Sequence, residues 1–310
     1  MKIFDLHCDT ATRLLNENQG LYDNNFHVSL KRSECFQNYA QVMAIWTHHK
    51  LSDAEGYDKF IQVAKNLENE VKINNNRCVL VRNSTDFSNA WNNKKTPLIL
   101  AVEDARILQN DISKLQELYQ FGVRILTLNW SENSCIGGAH NTYNGLTEFG
   151  IEVVKKCFEI GIVPDISHCS FSGAEQTLDI AKAYGKPIVA SHSNSYSVCT
   201  HSRNLKDQYA LDISKLLGLI GINLCPNHLT QNEHAGIGDV MLHIEHYLSL
   251  GLENNLAMGT DLDGTDLPDG FGGIEDIYKI ANEMQRLNYT NELVDKIFYK
   301  NALEFIKKNI

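Results

Sequence analysis

The chain has 310 residues, 43% of them hydrophobic and 21% charged, with a formal net charge of −10. That is ample apolar material for a large core, and an acidic balance with no Lys/Arg cluster excludes a phosphate-backbone binder. Eight cysteines are scattered without a CxxC pair, which excludes a zinc-finger pattern and favours free thiols over disulfide staples.

The chain opens on KIFDLHCDT, Lys2–Thr10. Asp5, His7 and Asp9 alternate there, and a period of two predicts that all three leave one face of a strand. Three polar groups on a buried strand are costly unless compensated, and a divalent metal compensates them. No apolar signal region opens the chain, and no stretch approaches the roughly eighteen apolar residues of a membrane span. The expectation is a cytoplasmic protein with no membrane and no nucleic-acid partner.

Runs rich in Val, Ile and Leu predict eight strands, at Lys2–Asp9, Gln41–Thr47, Pro97–Glu103, Arg124–Trp130, Ile162–His168, Pro187–His192, Leu219–Asn223 and Asn255–Asp261. They alternate little in polarity, as parallel strands buried on both faces do. Helical patterns fill the gaps. Ser52-Asp53-Ala54-Glu55 reads as a capping box before Phe60, Val63, Ala64 and Leu67, and Ser172-Gly173-Ala174-Glu175 reads the same way before Leu178 and Ala181. Eightfold alternation predicts an α/β fold, a single (β/α)8 TIM-type barrel spanning residues 1–310 as one domain. A doubly wound open sheet is the alternative. The Asn-rich segment Asn74–Asn93 is expected to carry a surface loop, and the last amphipathic stretch, Glu292–Lys307, to pack on the barrel's outside.

Polar residues interrupt these strands at their C-terminal ends: His7 and Asp9, Glu103, Asp165 and His168, His192, then Asp261 and Asp263. In a barrel those ends meet at one mouth, where active sites are built. His7 and Asp9 suit one ion, His168 and His192 a second, and Glu103 has two oxygens with which to bridge them. Mixed nitrogen and oxygen ligands without thiolate fit zinc, and also admit manganese or cobalt. Two such ions polarise a carbonyl and acidify water, and Asp261 is placed to carry the proton. Arg203, in the polar loop after the sixth strand, either pairs with a substrate carboxylate or forms a surface salt bridge.

These motifs, DLHCDT (Asp5–Thr10), VED (Val102–Asp104), LTL (Leu126–Leu128), NGLTEFG (Asn144–Gly150), DISH (Asp165–His168), SHSNSYSV with Arg203-Asn204 following, and GTDLDG (Gly259–Gly264), resemble the membrane (renal) dipeptidase family of amidohydrolase-like barrels. The resemblance implies two zinc ions on His7, Asp9, Glu103, His168 and His192, with Glu103 bridging. It gives Asp261 the catalytic role and Arg203, with Asn204 beside it, the substrate carboxylate. It further implies a small dipeptide substrate with a D-residue tolerated at its C-terminal position, and a homodimer. A related amidohydrolase acting on a lactam, lactone or acylated amino acid is the alternative. One position departs from the animal members: the substrate-contacting histidine after the fourth strand is Trp130 here, which offers an indole N–H and a flat face instead of an imidazole. His140, in the nearby GGAHN loop, is read as a surface residue. The lack of a signal region points to a soluble, bacterial-type member.

Overall fold

The computed structural model describes residues 1–310 and contains nine strands. They are β1 (Lys2–Cys8), β2 (Asn38–Trp46), β3 (Cys78–Val81), β4 (Thr96–Glu103), β5 (Val123–Thr127), β6 (Val163–Asp165), β7 (Val189–Ala190), β8 (Leu219–Ile222) and β9 (Leu256–Met258). All pairings are parallel, in the order β2-β1-β9-β8-β7-β6-β5-β4, and a β2–β4 ladder from Gln41↔Leu98 to Trp46↔Glu103 closes the ring. With helices between the strands, this is the (β/α)8 barrel. All eight expected strands are present; most are trimmed at their ends, while β2, β4 and β5 begin three, one and one residues earlier than expected. β6 and β7 keep only three and two residues, because the chain leaves the ladder early and turns its polar residues into the mouth.

β3 is a ninth strand that the Asn-rich composition hid. It pairs with the first half of β4 (Cys78–Val81 with Thr96–Ile99), in line below β5, which takes the second half. A helix, Ser84–Asn92, follows it, so the surface loop expected in Asn74–Asn93 is confined to the exposed turn at 75–77. Its asparagines are caps: Asn83 accepts from the Asp86 amide, and the Asn93 amide closes the other end on Asn89 O. Phe87 and Trp91 on that helix are buried, and Phe87 stacks on Phe4 of β1 with centroids 5.4 Å apart.

The barrel interior is apolar in its lower half. Phe4 and Leu6, Ala40, Val42 and Ala44, Ile99 and Ala101, Ile125, Val163, Val189, Leu219 and Ala257 form one cluster with a member from each barrel strand. Tyr299, Ala302, Phe305 and Ile306 belong to the same cluster. The last helical segment therefore plugs the floor of the barrel and does not lie on its outside. Truncating such a buried ring costs about 3–5 kcal/mol, so this floor is a main element of stability. A separate, larger cluster packs the outer faces of the strands against the helices. No helix is long and apolar enough to cross a membrane.

One sequence expectation fails instructively in β1. Phe4 and Leu6 face the interior, and the register with β2 slips between Asp5 and Cys8. Strict alternation is thus broken by a bulge, which is how barrels re-aim a side chain beside a site. Asp5 stays apart from His7 and Asp9 and accepts from Thr260 N at 2.8 Å and Thr260 Oγ1 at 2.6 Å. The helix after β6 also starts two residues earlier than its sequence suggests: Ser170, not Ser172, caps it by accepting from Gly173 N.

Candidate metal centre

Polar side chains take over where the apolar layer ends. Asp165 is fully buried and accepts from Thr127 Oγ1 (2.6 Å), Ser191 Oγ (2.6 Å), Ser167 N (3.0 Å) and Ser191 N (2.9 Å). With its acceptor sites filled, this carboxylate ties β5, β6 and β7 together. Ser191 Oγ, having given its hydrogen to Asp165, accepts from His192 Nδ1 at 2.7 Å. Nε2 of His192 is left with the lone pair, the tautomer a metal ligand needs. Ser191 O sits so deep between β8 and β9 that a Cβ on Gly221 or Gly259 would overlap it.

Above that layer the ligand-type atoms converge. His7 Nε2 lies 3.4 Å from Asp9 Oδ2, 3.7 Å from Glu103 Oε2 and 3.9 Å from Asp261 Oδ1. The other oxygen of Glu103, Oε1, lies 3.0 Å from His168 Nε2 and 3.5 Å from His192 Nε2, and those two nitrogens are 3.0 Å apart. Glu103 thus turns one oxygen to His7 and the other to the His168–His192 pair. His168 and Asp261 hold left-handed backbone (φ +71° and +62°), a strained conformation that non-glycine residues keep where a site demands it.

The electrostatics call for cations. Burial opposes a charge on His7, yet Glu103, Asp9 and Asp261 crowd it and push it up to about 10. Burial and the Asp9 charge push Glu103 well above the carboxylate range. Burial likewise raises Asp261 to about 6. His7 Nε2, Asp9 Oδ1 and His168 Nδ1 are buried with no hydrogen-bond partner, whereas buried polar groups are ordinarily satisfied. Imidazole and carboxylate donors around unsatisfied atoms fit divalent ions of the zinc type.

Asp261 is steadied from β8: Asn223 Nδ2 donates to its Oδ2 at 3.0 Å. Asp263, a neighbour in sequence, is committed elsewhere. It accepts from Thr10 Oγ1 (2.5 Å), His27 N (2.7 Å), Val28 N (3.3 Å) and Arg13 Nη1 (3.2 Å). It clamps the β1 turn to the end of β9. Gly264 sits between the two carboxylates, and a Cβ there would overlap Asp9 Oδ2 and Asp261 Oδ1. Gly264→Ala is therefore expected to lower metal content and to cut turnover by about a hundredfold, the effect of a misplacement near 1 Å. Elemental analysis and kcat check it, and a fully loaded, fully active variant would remove the close approach from the argument.

Arg203 is buried, makes no ion pair, and its guanidinium has a single hydrogen bond, Nη2 to His192 O at 3.4 Å. Its Nε has none. Asn204 is buried behind it, and its amide donates to Cys199 O and His228 O, both at 2.8 Å. Asn204 braces the loop and is not among the residues lining the cavity. Trp130 does line the cavity of about 290 Å³ over the centre, together with Trp46, Cys225 and His228. His140 is half-buried, bonded to Ser202 Oγ at 2.8 Å, with its ring 6.0 Å from that of His168. A larger groove of about 620 Å³ beside Lys296, Lys300 and Phe305 lies against the floor helix, away from the centre.

His243 holds the Arg203 loop from outside. Its Nδ1 accepts from Ser195 N (3.0 Å) and its Nε2 donates to Leu229 O (2.9 Å). Burial pushes its pKa down to about 4, and a proton on Nδ1 would face the Ser195 N–H. The unfolded chain takes that proton near pH 6.5, so stability present above pH 6.5 is lost progressively toward pH 4, up to ~3 kcal/mol. Denaturant unfolding at pH 7.5 and pH 5 should show the loss, and His243→Gln should flatten it.

Sequence reasoning missed Ser191, Asn223 and Trp46. The signal for Asn223 was present: it is the polar residue ending LIGIN, at the same strand-end position as the ligands.

Comparison with known proteins agrees with this geometry. The family model for membrane dipeptidases, peptidase family M19, matches residues 1–309. A Schizosaccharomyces pombe protein named an uncharacterized dipeptidase is 29% identical over 231 residues, covering 70% of this chain and 54% of its own. A Claviceps purpurea dipeptidase is 25% identical, covering 78% and 58%. The chain thus spans little more than half the length of these two relatives. Among solved structures, an M19 dipeptidase superposes with a TM-score of 0.93 at 22% identity, covering 100% of this chain and 98% of its own. A Rhodobacter sphaeroides metallopeptidase carrying a phosphinate mimic of L-Ala-D-Ala superposes with a TM-score of 0.91 at 21% identity, covering 100% and 99%. On the whole-length family match, this chain belongs to the membrane dipeptidase family, peptidase family M19.

Proposed function

We propose that this protein is a dipeptidase. His7, Asp9, Glu103, His168 and His192 would hold two zinc ions, and the substrates are short peptides with a free C-terminal carboxylate, D-residues at that position included. The family and the names of its relatives support peptide-bond hydrolysis, and the L-Ala-D-Ala mimic on the Rhodobacter sphaeroides neighbour supports the D-residue. The observation that carries the reading is Arg203, a buried and unpaired guanidinium beside a cluster of metal-type ligands.

When bound, divalent ions there polarise the scissile carbonyl and acidify water. Arg203 supplies paired N–H donors for the substrate carboxylate, which fixes the C-terminal residue and aims the carbonyl at the cluster of metal-type ligands. Asp261, with Oδ2 engaged by Asn223, keeps Oδ1 toward the centre, takes the proton from the attacking water there and returns it to the leaving amine. Asp165 and Ser191 keep His192 in one tautomer throughout.

Arg203→Met tests the reading. It is expected mainly to raise KM for dipeptides and to cost roughly 2–5 kcal/mol in kcat/KM, as when a desolvated charge pair loses one partner. Amidating the dipeptide's C-terminus should weaken the wild type by a similar factor and leave the Met variant almost unchanged. If the wild type cleaves amidated and free dipeptides equally well, the carboxylate is not recognised, and hydrolysis of a lactam, lactone or acylated amino acid becomes the better reading.

A further inference from the structure

Trp46, at the end of β2, and Trp130, in the loop after β5, form one side of the cavity, with ring centroids 5.0 Å apart. Each is backed by an imidazole. His49 stacks on Trp130 at 5.5 Å and 17°, and His48 packs on Trp46 at 5.3 Å and on His49 at 4.4 Å. Arg106 anchors the loop that carries both histidines, donating to His48 O at 3.1 Å and Leu51 O at 2.9 Å. The two indoles, inclined at 60° to each other, are thus a fixed aromatic corner of the kind that binds apolar and aromatic groups.

Charge defines what that surface refuses. The one Lys or Arg lining the cavity is Arg13, already engaged by Glu17 at 2.8 Å and Asp263 at 3.2 Å. Arg203 is the remaining cation, and the proposed function gives it to the C-terminal carboxylate. A second carboxylate on the substrate would find no partner, and an unpaired desolvated charge is heavily penalised. Position decides which residue meets the wall. Arg203 follows β7, in a loop that Asn204 ties to His228 after β8, whereas Trp46 ends β2, diametrically opposite β7 in the ring, and Trp130 follows β5 and leans on Trp46. With the C-terminal residue held at Arg203, the side chain across the floor is that of the N-terminal residue.

We propose that Trp46 and Trp130 determine specificity at the N-terminal residue, selecting apolar or aromatic side chains and rejecting carboxylate ones. This rests on the dipeptidase reading. The test compares zinc-loaded wild type, Trp130→Ala and Trp130→Phe on Phe-Ala, Leu-Ala and Asp-Ala. The wild type is expected to favour Phe-Ala and Leu-Ala over Asp-Ala at least tenfold in kcat/KM. Trp130→Ala should erase most of that preference and Trp130→Phe, which keeps a flat ring, should retain it. Calorimetric binding of L-phenylalaninamide against the α-amide of L-aspartate, neither with an α-carboxylate, should show the same order. Cleavage of all three dipeptides without preference, or a Trp130→Ala loss that is equal for each, overturns the wall and leaves the dipeptidase reading standing. If no dipeptide is cleaved yet the amides bind with this order and Trp130→Ala abolishes it, the dipeptidase reading falls and the apolar wall stands. If the amides bind alike, the wall falls.

Discussion

Glu103→Ala is expected to empty both proposed metal positions, leaving less than one ion per chain by elemental analysis where the wild type is expected to hold two. Glu103 is the one side chain that turns an oxygen to each half of the centre, 3.7 Å from His7 Nε2 on one side and 3.0 Å from His168 Nε2 on the other. Without it each half keeps two of the ligands proposed here, fewer than the three protein ligands usual for a catalytic zinc. Turnover should fall by about a thousandfold or more, the rate equivalent of the several kcal/mol that metal polarisation supplies. Stability should move the other way. In the metal-free protein Glu103 is a carboxyl buried against Asp9 and Asp261, so removing it relieves repulsion and desolvation. The metal-free variant should melt at or above the metal-free wild type. Full double occupancy in Glu103→Ala would refute the bridging role, and a large drop in metal-free Tm would make the residue structural.

Asp261→Asn is expected to keep its metal and lose its chemistry. Asparagine preserves the shape and can still accept from Asn223 through its carbonyl oxygen, but its amide cannot take a proton. A general base of this kind contributes about a hundredfold to ten-thousandfold, and kcat should fall within that range while metal content stays near wild type. No neighbour is positioned to substitute. Asp165 is saturated by four hydrogen bonds from Thr127, Ser167 and Ser191, and Asp263 by Thr10, Arg13, His27 and Val28. Wild-type turnover in Asp261→Asn would move the base off β9 altogether.

What the sequence made legible was a matter of period and of strand ends. Eight buried apolar runs defined the barrel, the chemistry-bearing polar residues closing five of them defined its mouth, and His7, Asp9, Glu103, His168, His192 and Asp261 meet there. What it hid has particular causes. The bulge in β1 is a backbone event with no residue signature, so the shared face assigned to Asp5 was wrong. The short strand Cys78–Val81 was masked by asparagines that are helix caps. Asn204 shared its motif with Arg203, yet its amide is spent on Cys199 O and His228 O, whereas the Arg203 guanidinium keeps a single hydrogen bond. The Trp46–Trp130 contact joins β2 to the loop after β5, and pairings at that separation leave no periodic trace.

The closure of the ring has a consequence for biogenesis. β1 pairs with β9 through Asp5↔Met258, and Thr10 bonds Asp263 across 253 residues of chain. The floor helix that seals Phe4 and Leu6 comes later still. A growing chain therefore carries His7 and Asp9 through most of its synthesis on an unclosed edge strand, with only part of the centre available to a metal. Closing such a long loop is slow, so metal capture is an event of the finished chain, and a chain arrested before β9 offers β1 as an open edge for pairing with another molecule.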